Sequence, residues 1–349
     1  MKISNTSDIR VSQIESLDPP ITYLRRQPIS DKISQIVIKG RNEIENIIKG
    51  NDKRLLFIVG PCSIHDEAAG LEYAQRLSEL AKTVSKEILV VMRVYFEKPR
   101  TTVGWKGLIN DPNLDGSFDI SNGLKRSREF LLKVNELGIP VATEFLDPFI
   151  PQYLADLVSW GAIGARTSES QTHREMASGL SVPVGFKNGT GGSNQIAIDA
   201  IISASSPHTF LGIDLDGNAS IVHTKGNEVC HLVLRGGSNG PNYDEKSVKE
   251  AENQIKKSGL DPKIIIDCSH ANSNKDHKKQ PIVFENILTQ KLKGNKSIVG
   301  LMLESHINEG NQSLSDPNNL KYGVSITDAC INWETTNDLI TDAQKKLKK

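Results

Sequence analysis

The run LLFIVG at Leu55–Gly60 is apolar throughout and lacks the alternation of polar and apolar residues that a half-exposed strand shows. Seven similar short runs follow it: ILVVMR at 88–93, PVATEF at 140–145, AIGAR at 162–166, PVGFK at 183–187, HLVLR at 231–235, IIIDC at 264–268 and VGLMLE at 299–304. Strands of this kind are typical of parallel sheets that helices cover on both faces. Eight of them alternating with helices predict an α/β fold, the (β/α)8 TIM barrel, with an open doubly wound sheet as the alternative.

Helical segments separate these runs. Between Gly123 and Leu137 apolar residues recur at helical spacing, and Ser193 and Asp244 precede similar stretches in the position of an N-cap. The chain ends in an amphipathic, lysine-rich segment, which is typical of the last turn of a helix. These helices fill the intervals that a barrel of repeated βα units requires.

Two connections are longer than a minimal barrel needs. Residues 94–122 form a long stretch rich in Gly, Pro, Lys and Arg, and loops of this length are usually functional. Residues 209–213 and 219–223 flank the turn sequence DLDGN and predict a β-hairpin. We expect this hairpin, at about 207–225, to be a regulatory insertion between the fifth and sixth barrel strands.

Residues 1–50 differ in character from the rest of the chain. This polar segment contains Asp18-Pro-Pro20 and one helix-like stretch at 30–49, so it buries little by itself. We expect an N-terminal extension that makes oligomer or regulatory contacts, followed by a catalytic barrel at 51–349. A loose terminus is the alternative for the extension.

Composition excludes several classes of protein. Lys plus Arg and Asp plus Glu both number 42, so there is no basic excess to attract nucleic acid. The N-terminus lacks the apolar run of a signal peptide, and no stretch approaches the roughly 20 apolar residues of a membrane span. Four scattered cysteines are too few for a disulfide scaffold, and we expect them to be reduced in a cytoplasmic protein.

The carboxyl ends of barrel strands form the active face of such folds. Reactive or charged residues occupy nearly all of these positions: Cys62, Arg93, Glu144, Arg166, Lys187, Arg235, Asp267, His270 and Glu304. The cations among them, joined by Lys98 and Arg100 from the long loop, would repel one another unless anions neutralise them. We therefore expect a small polyanionic ligand. Pairing of each cation with a structural carboxylate is the alternative.

Three of these residues also suggest a metal site. Cys62, His270 and Glu304 lie at or just after the ends of the first, seventh and eighth runs, which are neighbours around a closed barrel. A thiolate, an imidazole and a carboxylate, with Asp328 as a fourth ligand, suit a divalent transition metal. The spacing alone is weak support, because a free cysteine is most often simply buried.

Lys187 allows a different chemistry. The sequence KNGTGG at 187–192 lacks the order of a Walker motif, so it does not predict a nucleotide site. A lysine at the end of a barrel strand would, however, suit an imine-forming aldolase. A non-catalytic sensor of sugar phosphates is a further alternative.

Eight short motifs stand out, several of them individually specific: GPCSIHD at 60–66, KPRTT at 98–102, GWKG at 104–107, GART at 164–167, GFKNGT at 185–190, LRGG at 234–237, DCSHAN at 267–272 and SITDAC at 325–330. Together they resemble those of 3-deoxy-D-arabino-heptulosonate 7-phosphate (DAHP) synthases of type I, most of all the short microbial class regulated by amino acids. The resemblance runs from the N-terminal segment to the last helix. It includes no fused chorismate mutase.

The resemblance implies condensation of phosphoenolpyruvate with erythrose 4-phosphate and water to give DAHP and phosphate, the first step of the shikimate pathway to aromatic amino acids. It also implies one divalent metal ion per subunit (Mn, Fe, Co or Zn), with the ligands Cys62, His270, Glu304 and Asp328. Residues implied for phosphoenolpyruvate are Arg93, Lys98, Glu144, Arg166, Lys187 and Arg235. Those implied for erythrose 4-phosphate are Lys98, Pro99, Arg100 and Thr101, and those implied for catalysis are Lys98, Cys62 and His270.

The resemblance further implies a homodimer or homotetramer and feedback inhibition by an aromatic amino acid beside the hairpin. The matching positions are Asp147, Pro151, Gln152, Leu180, Ser181, Phe210, Gly212 and Val222. Phe210 and Leu180 would provide apolar walls, and Gly212 stands where phenylalanine-regulated relatives tend to carry serine. That space would accommodate a phenol hydroxyl, so we expect tyrosine rather than phenylalanine, with tryptophan third.

Overall fold

The computed structural model describes residues 6–348; residues 1–5 and 349, the outermost parts of the predicted extension and barrel, lie outside them. Ten strands are present in this part of the chain: β1 Leu55–Gly60, β2 Ile88–Arg93, β3 Val141–Glu144, β4 Trp160–Ile163, β5 Val184–Lys187, β6 Thr209–Ile213, β7 Ala219–His223, β8 Cys230–Leu234, β9 Ile264–Asp267 and β10 Ile298–Glu304. Eight of them form a closed parallel barrel in the order β1-β10-β9-β8-β5-β4-β3-β2. The barrel prediction is confirmed, and the open sheet is excluded.

Helices follow the strands as the sequence pattern predicts. Their bounds are α1 Pro20–Arg26, α2 Asp31–Lys49, α3 Glu67–Val84, α4 Ile120–Glu136, α5 Ile150–Leu154, α6 Gln171–Gly179, α7 Asn194–Ala204, α8 Glu245–Lys257, α9 Gln280–Leu292 and α10 Trp333–Leu347. The Asp244 carboxylate caps α8 by accepting from the backbone N–H groups of Lys246 and Ser247. Ser193 occupies the N-cap position of α7, but its side chain makes no capping bond. No helix within residues 6–348 is both long and apolar enough to cross a membrane.

The barrel interior is apolar at one end and charged at the other. Alternate strand residues form a buried apolar cluster that includes Leu56, Ile58, Leu89, Val91, Ala142, Val233, Ile265 and Met302. Ile44, Ile47 and Ile48 of α2 join this cluster, and burying one such side chain contributes roughly 1.5–3 kcal/mol. Helix α2 therefore packs against the barrel rather than forming a loose terminus.

The fourth strand differs from its prediction. It spans Trp160–Ile163 rather than 162–166, because the carbonyl of Gly164 accepts from the backbone N–H groups of Thr167 and Ser168 and so begins a turn. Arg166 consequently lies in that turn, exposed, instead of ending the strand. From this turn Arg166 still lines the mouth of the barrel.

The hairpin forms where the sequence predicts it. Strands β6 and β7 pair antiparallel, with Phe210 opposite Val222 and Leu211 opposite Ile221. The N-terminal segment contacts its turn, where the Ile21 N–H donates to the carbonyl of Leu215 at 2.9 Å. The N-terminal segment and the hairpin, neither of which a minimal barrel needs, are therefore in contact.

Candidate active site

A cavity of about 370 Å³ opens at the carboxyl ends of the barrel strands. Seven cationic side chains and two carboxylates line it: Arg93, Lys98, Arg100, Arg166, Lys187, Arg235, Lys275, Glu144 and Asp328. All the predicted substrate residues belong to the lining except Thr101, which is exposed in the long loop. The excess of positive charge makes the cavity complementary to a small polyanion.

Two of these cations have buried carboxylate partners. The expectation that every cation of the cluster requires an anionic ligand is therefore wrong for these two. Arg93 Nη2 donates to Glu304 Oε1 at 2.9 Å, and Lys187 Nζ donates to Glu144 Oε2 at 3.0 Å. All four side chains are at most 6% exposed. Burial disfavours the charged form of Glu144, but the adjacent Lys187 and Lys98 outweigh it and lower the pKa of Glu144. These pairs form a charged layer directly above the apolar interior.

The remaining arginines of the cavity have no carboxylate partner among residues 6–348. Arg166 and Arg235 make no ion pair there, and Arg100 donates through Nε to the carbonyl of Trp105 at 2.7 Å. Burial, together with the like charge of Arg166, lowers the pKa of Arg235. An anionic ligand would therefore form its strongest new hydrogen-bonded ion pairs with these arginines.

The four predicted metal ligands converge beside this cavity. Ligand atoms of Cys62, Glu304 and Asp328 all lie within 4.8 Å of one another, and His270 Nε2 is 3.9 Å from a carboxylate oxygen of both Glu304 and Asp328. One thiol, one imidazole and two carboxylates fit a divalent transition metal better than calcium or magnesium, which prefer oxygen alone. The donor set could therefore hold such an ion.

The orientation of His270 depends on its neighbours. Its Nδ1 lies 2.9 Å from Asp267 Oδ2 and 2.7 Å from Ser269 Oγ, so Nε2 is left to face the predicted metal ligands Glu304 and Asp328. Its backbone adopts φ 56°, in the left-handed region that non-glycine residues seldom occupy. Burial opposes ionisation of Asp267, but His270, Lys187 and Arg93 hold its pKa below the ordinary value.

Lys98, from the long loop, contacts Cys62, one of the predicted metal ligands. Its Nζ is 3.1 Å from Cys62 Sγ and 3.2 Å from the Cys62 carbonyl oxygen. The loop is held in place because the Lys98 N–H donates to the carbonyl of Lys106, and because Gly107 packs where a Cβ would overlap the Phe96 carbonyl. Burial and the Glu304 carboxylate raise the pKa of Cys62, while Lys98 opposes them. Lys98 thus stabilises the thiolate form, the form that binds metals.

A second cavity, of about 460 Å³, lies between the hairpin and helices α5 and α6. Seven of the eight predicted inhibitor residues line it: Pro151, Gln152, Leu180, Ser181, Phe210, Gly212 and Val222. Asp147 does not; its carboxylate accepts from the Phe149 N–H at 2.8 Å instead. A Cβ at Gly212 would lie 2.8 Å from Cγ2 of Val222, so glycine keeps this wall open.

Three residues near the site have no role predicted from the sequence. Tyr95 lies beneath Arg93, Lys275 lines the cavity, and Asp267 was noticed but given no role. A carboxylate three residues before a metal-binding histidine is a usable signal for Asp267. The sequence contains no such signal for Tyr95, because an aromatic residue that extends an apolar run is typical of a hydrophobic core.

Comparison with known proteins identifies the family. The family model described as "DAHP synthetase I family" matches residues 29–341. The chain belongs to this family. It is 53% identical over 341 residues to the Phe-sensitive phospho-2-dehydro-3-deoxyheptonate aldolase of Escherichia coli K12, covering 98% of this chain and 97% of that protein. The Tyr-sensitive enzyme of Salmonella typhimurium is 52% identical over 342 residues, covering 98% and 96%.

A solved structure of the DAHP synthase relative from Francisella tularensis superposes with a TM-score of 0.95 at 47% identity, covering 97% of this chain and 98% of that one. The similarity of fold therefore extends over nearly the whole length of both chains. This membership makes the chain a DAHP synthase, the enzyme of the first step of the shikimate pathway. Relatives named Phe-sensitive and Tyr-sensitive occur at nearly equal identity, so overall similarity does not distinguish the two effectors.

Proposed function

We propose that the cavity at the carboxyl ends of the strands is where phosphoenolpyruvate and erythrose 4-phosphate condense. The observation that carries this proposal is the adjacency of a thiol–imidazole–carboxylate set to a cavity with seven cations. A substrate pair with two phosphates and one carboxylate matches that charge. The side chains bring these mutually repelling anions together and orient them, which is an entropic contribution to the rate.

Each ligand group has a proposed partner. Arg166 and Arg235, which lack carboxylate partners among residues 6–348, bind phosphoenolpyruvate together with Arg93, Lys98, Glu144 and Lys187. Arg100, with Pro99 and Thr101, binds erythrose 4-phosphate near the rim. Arginine suits both roles because its planar guanidinium binds phosphate or carboxylate through two donors.

The reaction joins C3 of phosphoenolpyruvate to the aldehyde carbon of erythrose 4-phosphate. A divalent ion (Mn, Fe, Co or Zn) at Cys62, His270, Glu304 and Asp328 would act as a Lewis acid on the aldehyde oxygen, where negative charge develops. Lys98 Nζ is the proposed proton donor to that oxygen, since it lies 3.1 Å from Cys62 Sγ at the edge of the cavity. Water adds to C2, and the C2–oxygen bond to phosphate then breaks.

Removal of the thiol ligand tests this assignment. Cys62→Ala should lose bound metal and nearly all activity, measured by metal analysis of the purified protein and by phosphate release. Cys230→Ala is the matched control, because Cys230 lies at the opposite, amino-terminal end of its barrel strand. Near-normal metal content and rate in Cys62→Ala would show that the ligand assignment is wrong.

We also propose that the 460 Å³ cavity binds an aromatic amino acid as feedback inhibitor, tyrosine in preference to phenylalanine and tryptophan. Its apolar walls, Phe210 and Leu180, suit an aromatic ring, and Gly212 leaves space for a hydroxyl. Titrating activity against each of the three amino acids tests the proposal. Inhibition by none of them would contradict it, and inhibition by phenylalanine alone would contradict the Gly212 argument.

The N-terminal extension and hairpin are the proposed subunit contacts of a homodimer or homotetramer. Exposed apolar side chains concentrate on these two segments, at Ile9, Ile14, Leu211 and Ile221. Light scattering coupled to size exclusion would determine the state, and a monomer would contradict the proposal. All four cysteines are free, which is consistent with the proposed cytoplasmic location.

A further inference from the structure

Tyr95 lies beneath Arg93 of the catalytic cavity, two residues beyond the end of β2. It is 1% exposed and belongs to the apolar cluster that fills the barrel interior. Two cations of the cavity lie near its ring: Arg93 Cζ is 3.5 Å from the ring centroid and Lys187 Nζ is 5.5 Å from it. The ring is therefore placed between the apolar interior and two groups proposed to bind phosphoenolpyruvate.

The Arg93 guanidinium is fixed on almost every side. Nε donates to the Pro61 carbonyl at 3.1 Å, and Nη2 donates to Glu304 Oε1 at 2.9 Å and to the Cys62 carbonyl at 3.3 Å. The Tyr95 ring covers one face of the planar group. Nη1 is the remaining nitrogen, and it has no hydrogen-bond partner within residues 6–348. Arg93 lines the cavity, so its unpaired Nη1 is a buried donor on a cavity-lining side chain.

The aromatic ring, rather than its hydroxyl, accounts for this arrangement. The hydroxyl oxygen of Tyr95 is buried and has no hydrogen-bond partner in the described part of the chain. The negative face of a ring attracts cations within about 6 Å, most strongly where water is excluded. The ring can thus add to the ion pairs with Glu304 and Glu144 in holding the mutually repelling Arg93 and Lys187 near each other before a substrate binds.

We propose that Tyr95 is a positioning residue for phosphoenolpyruvate, acting through its ring on Arg93 and Lys187. The inference rests on the proposed function, which places phosphoenolpyruvate against these two cations. It assigns Tyr95 no contact with the substrate and no proton transfer. Loss of the ring should weaken phosphoenolpyruvate binding more than erythrose 4-phosphate binding, because the ring contacts Arg93 and Lys187, whereas Arg100 donates elsewhere, to the Trp105 carbonyl. Metal content is measured alongside, since Arg93 also donates to the proposed metal ligand Glu304.

Three replacements at this position separate the ring from the hydroxyl. Tyr95→Phe keeps the ring and should change KM for phosphoenolpyruvate by less than about twofold, whereas Tyr95→Leu should raise it roughly tenfold. Pentafluorophenylalanine, incorporated at position 95, keeps the shape of phenylalanine but reverses the charge distribution of the ring. The fluorinated variant should raise KM for phosphoenolpyruvate as much as Tyr95→Leu does. If Tyr95→Leu fails to fold, the fluorinated variant alone tests the role of the ring.

The readouts are KM for each substrate, phosphoenolpyruvate affinity by titration calorimetry, metal content and Tm. Phe57→Leu is the control, since Phe57 is equally buried but packs edge-on against Phe284. It should lower Tm and leave KM for phosphoenolpyruvate unchanged. The inference is overturned if Tyr95→Phe weakens phosphoenolpyruvate binding as much as Tyr95→Leu does, or if the fluorinated ring matches phenylalanine. A wild-type protein that forms no DAHP would instead overturn the proposed function itself.

Discussion

The buried pair formed by Lys187 and Glu144 gives the most quantitative prediction. Glu144→Gln keeps the shape of the side chain but removes its charge. Lys187 then loses the carboxylate oxygen that lies 3.0 Å from its Nζ, although its side chain is only 5% exposed. Breaking a buried ion pair from one side costs about 3–5 kcal/mol. A chain of this length unfolds with an entropy of roughly 0.7 kcal/mol per kelvin, so Tm should fall by about 4–7 °C.

The assay is thermal unfolding of both proteins at several pH values. Glu144 has a lowered pKa, so its contribution is present above its ordinary value of 4.5 and is lost as pH falls through the folded-state value. Lys187 has a raised pKa, so its contribution is lost only as pH rises beyond its ordinary value of 10.5. The difference in Tm should therefore be constant near neutral pH and shrink in acid.

Glu129→Gln is the matched control. It removes the partner of Lys133 from an exposed pair on one helix, with side chains 54% and 47% exposed. Exposed pairs contribute about 0–1 kcal/mol, so Tm should change by roughly 1 °C or less. Equal Tm values for wild type and Glu144→Gln across neutral pH would refute the charged, buried state of this pair.

Three further substitutions test other parts of the account. Asp267→Asn should weaken metal binding about 10- to 100-fold by releasing His270, and a competition titration with a metal chelator that shows unchanged affinity would contradict this role. Arg166→Ala should raise KM for phosphoenolpyruvate about 10- to 100-fold with Tm within roughly 1 °C of wild type; matched losses of stability and affinity would indicate a structural ion pair instead. Gly212→Ser should push Val222 toward the second cavity and raise the tyrosine concentration for half-inhibition about tenfold, and an unchanged inhibition curve would show that this wall does not contact the effector.

The sequence alone was sufficient for the barrel because its strands are apolar on both faces. Runs such as Leu55–Gly60 and Ile88–Arg93 coincide with the observed strands, and the hairpin strands also match their predicted bounds. The fourth strand was misplaced because Gly164 and Ala165 extend the apolar character into a turn. There the decisive interaction is a backbone bond to the Gly164 carbonyl, which residue type does not encode.

Most of the residues that line the cavity were predictable from the sequence, but their ion-pair partners were not. That Arg93 pairs with Glu304 and Lys187 with Glu144 depends on which interior positions face each other across the closed barrel. No spacing in the sequence contains that information, because the paired residues are separated by 211 and 43 positions. The proposed role of Tyr95 could not be predicted for the same reason, because it depends on which side chains lie next to the ring.

Phosphate release from phosphoenolpyruvate and erythrose 4-phosphate, followed with and without a metal chelator, tests the central claim most directly. We expect one phosphate to be released for each DAHP formed. Turnover should be lost on chelation and should recover when a divalent transition metal is added back. Turnover that survives chelation, together with borohydride trapping of substrate on Lys187, would contradict it and favour imine chemistry.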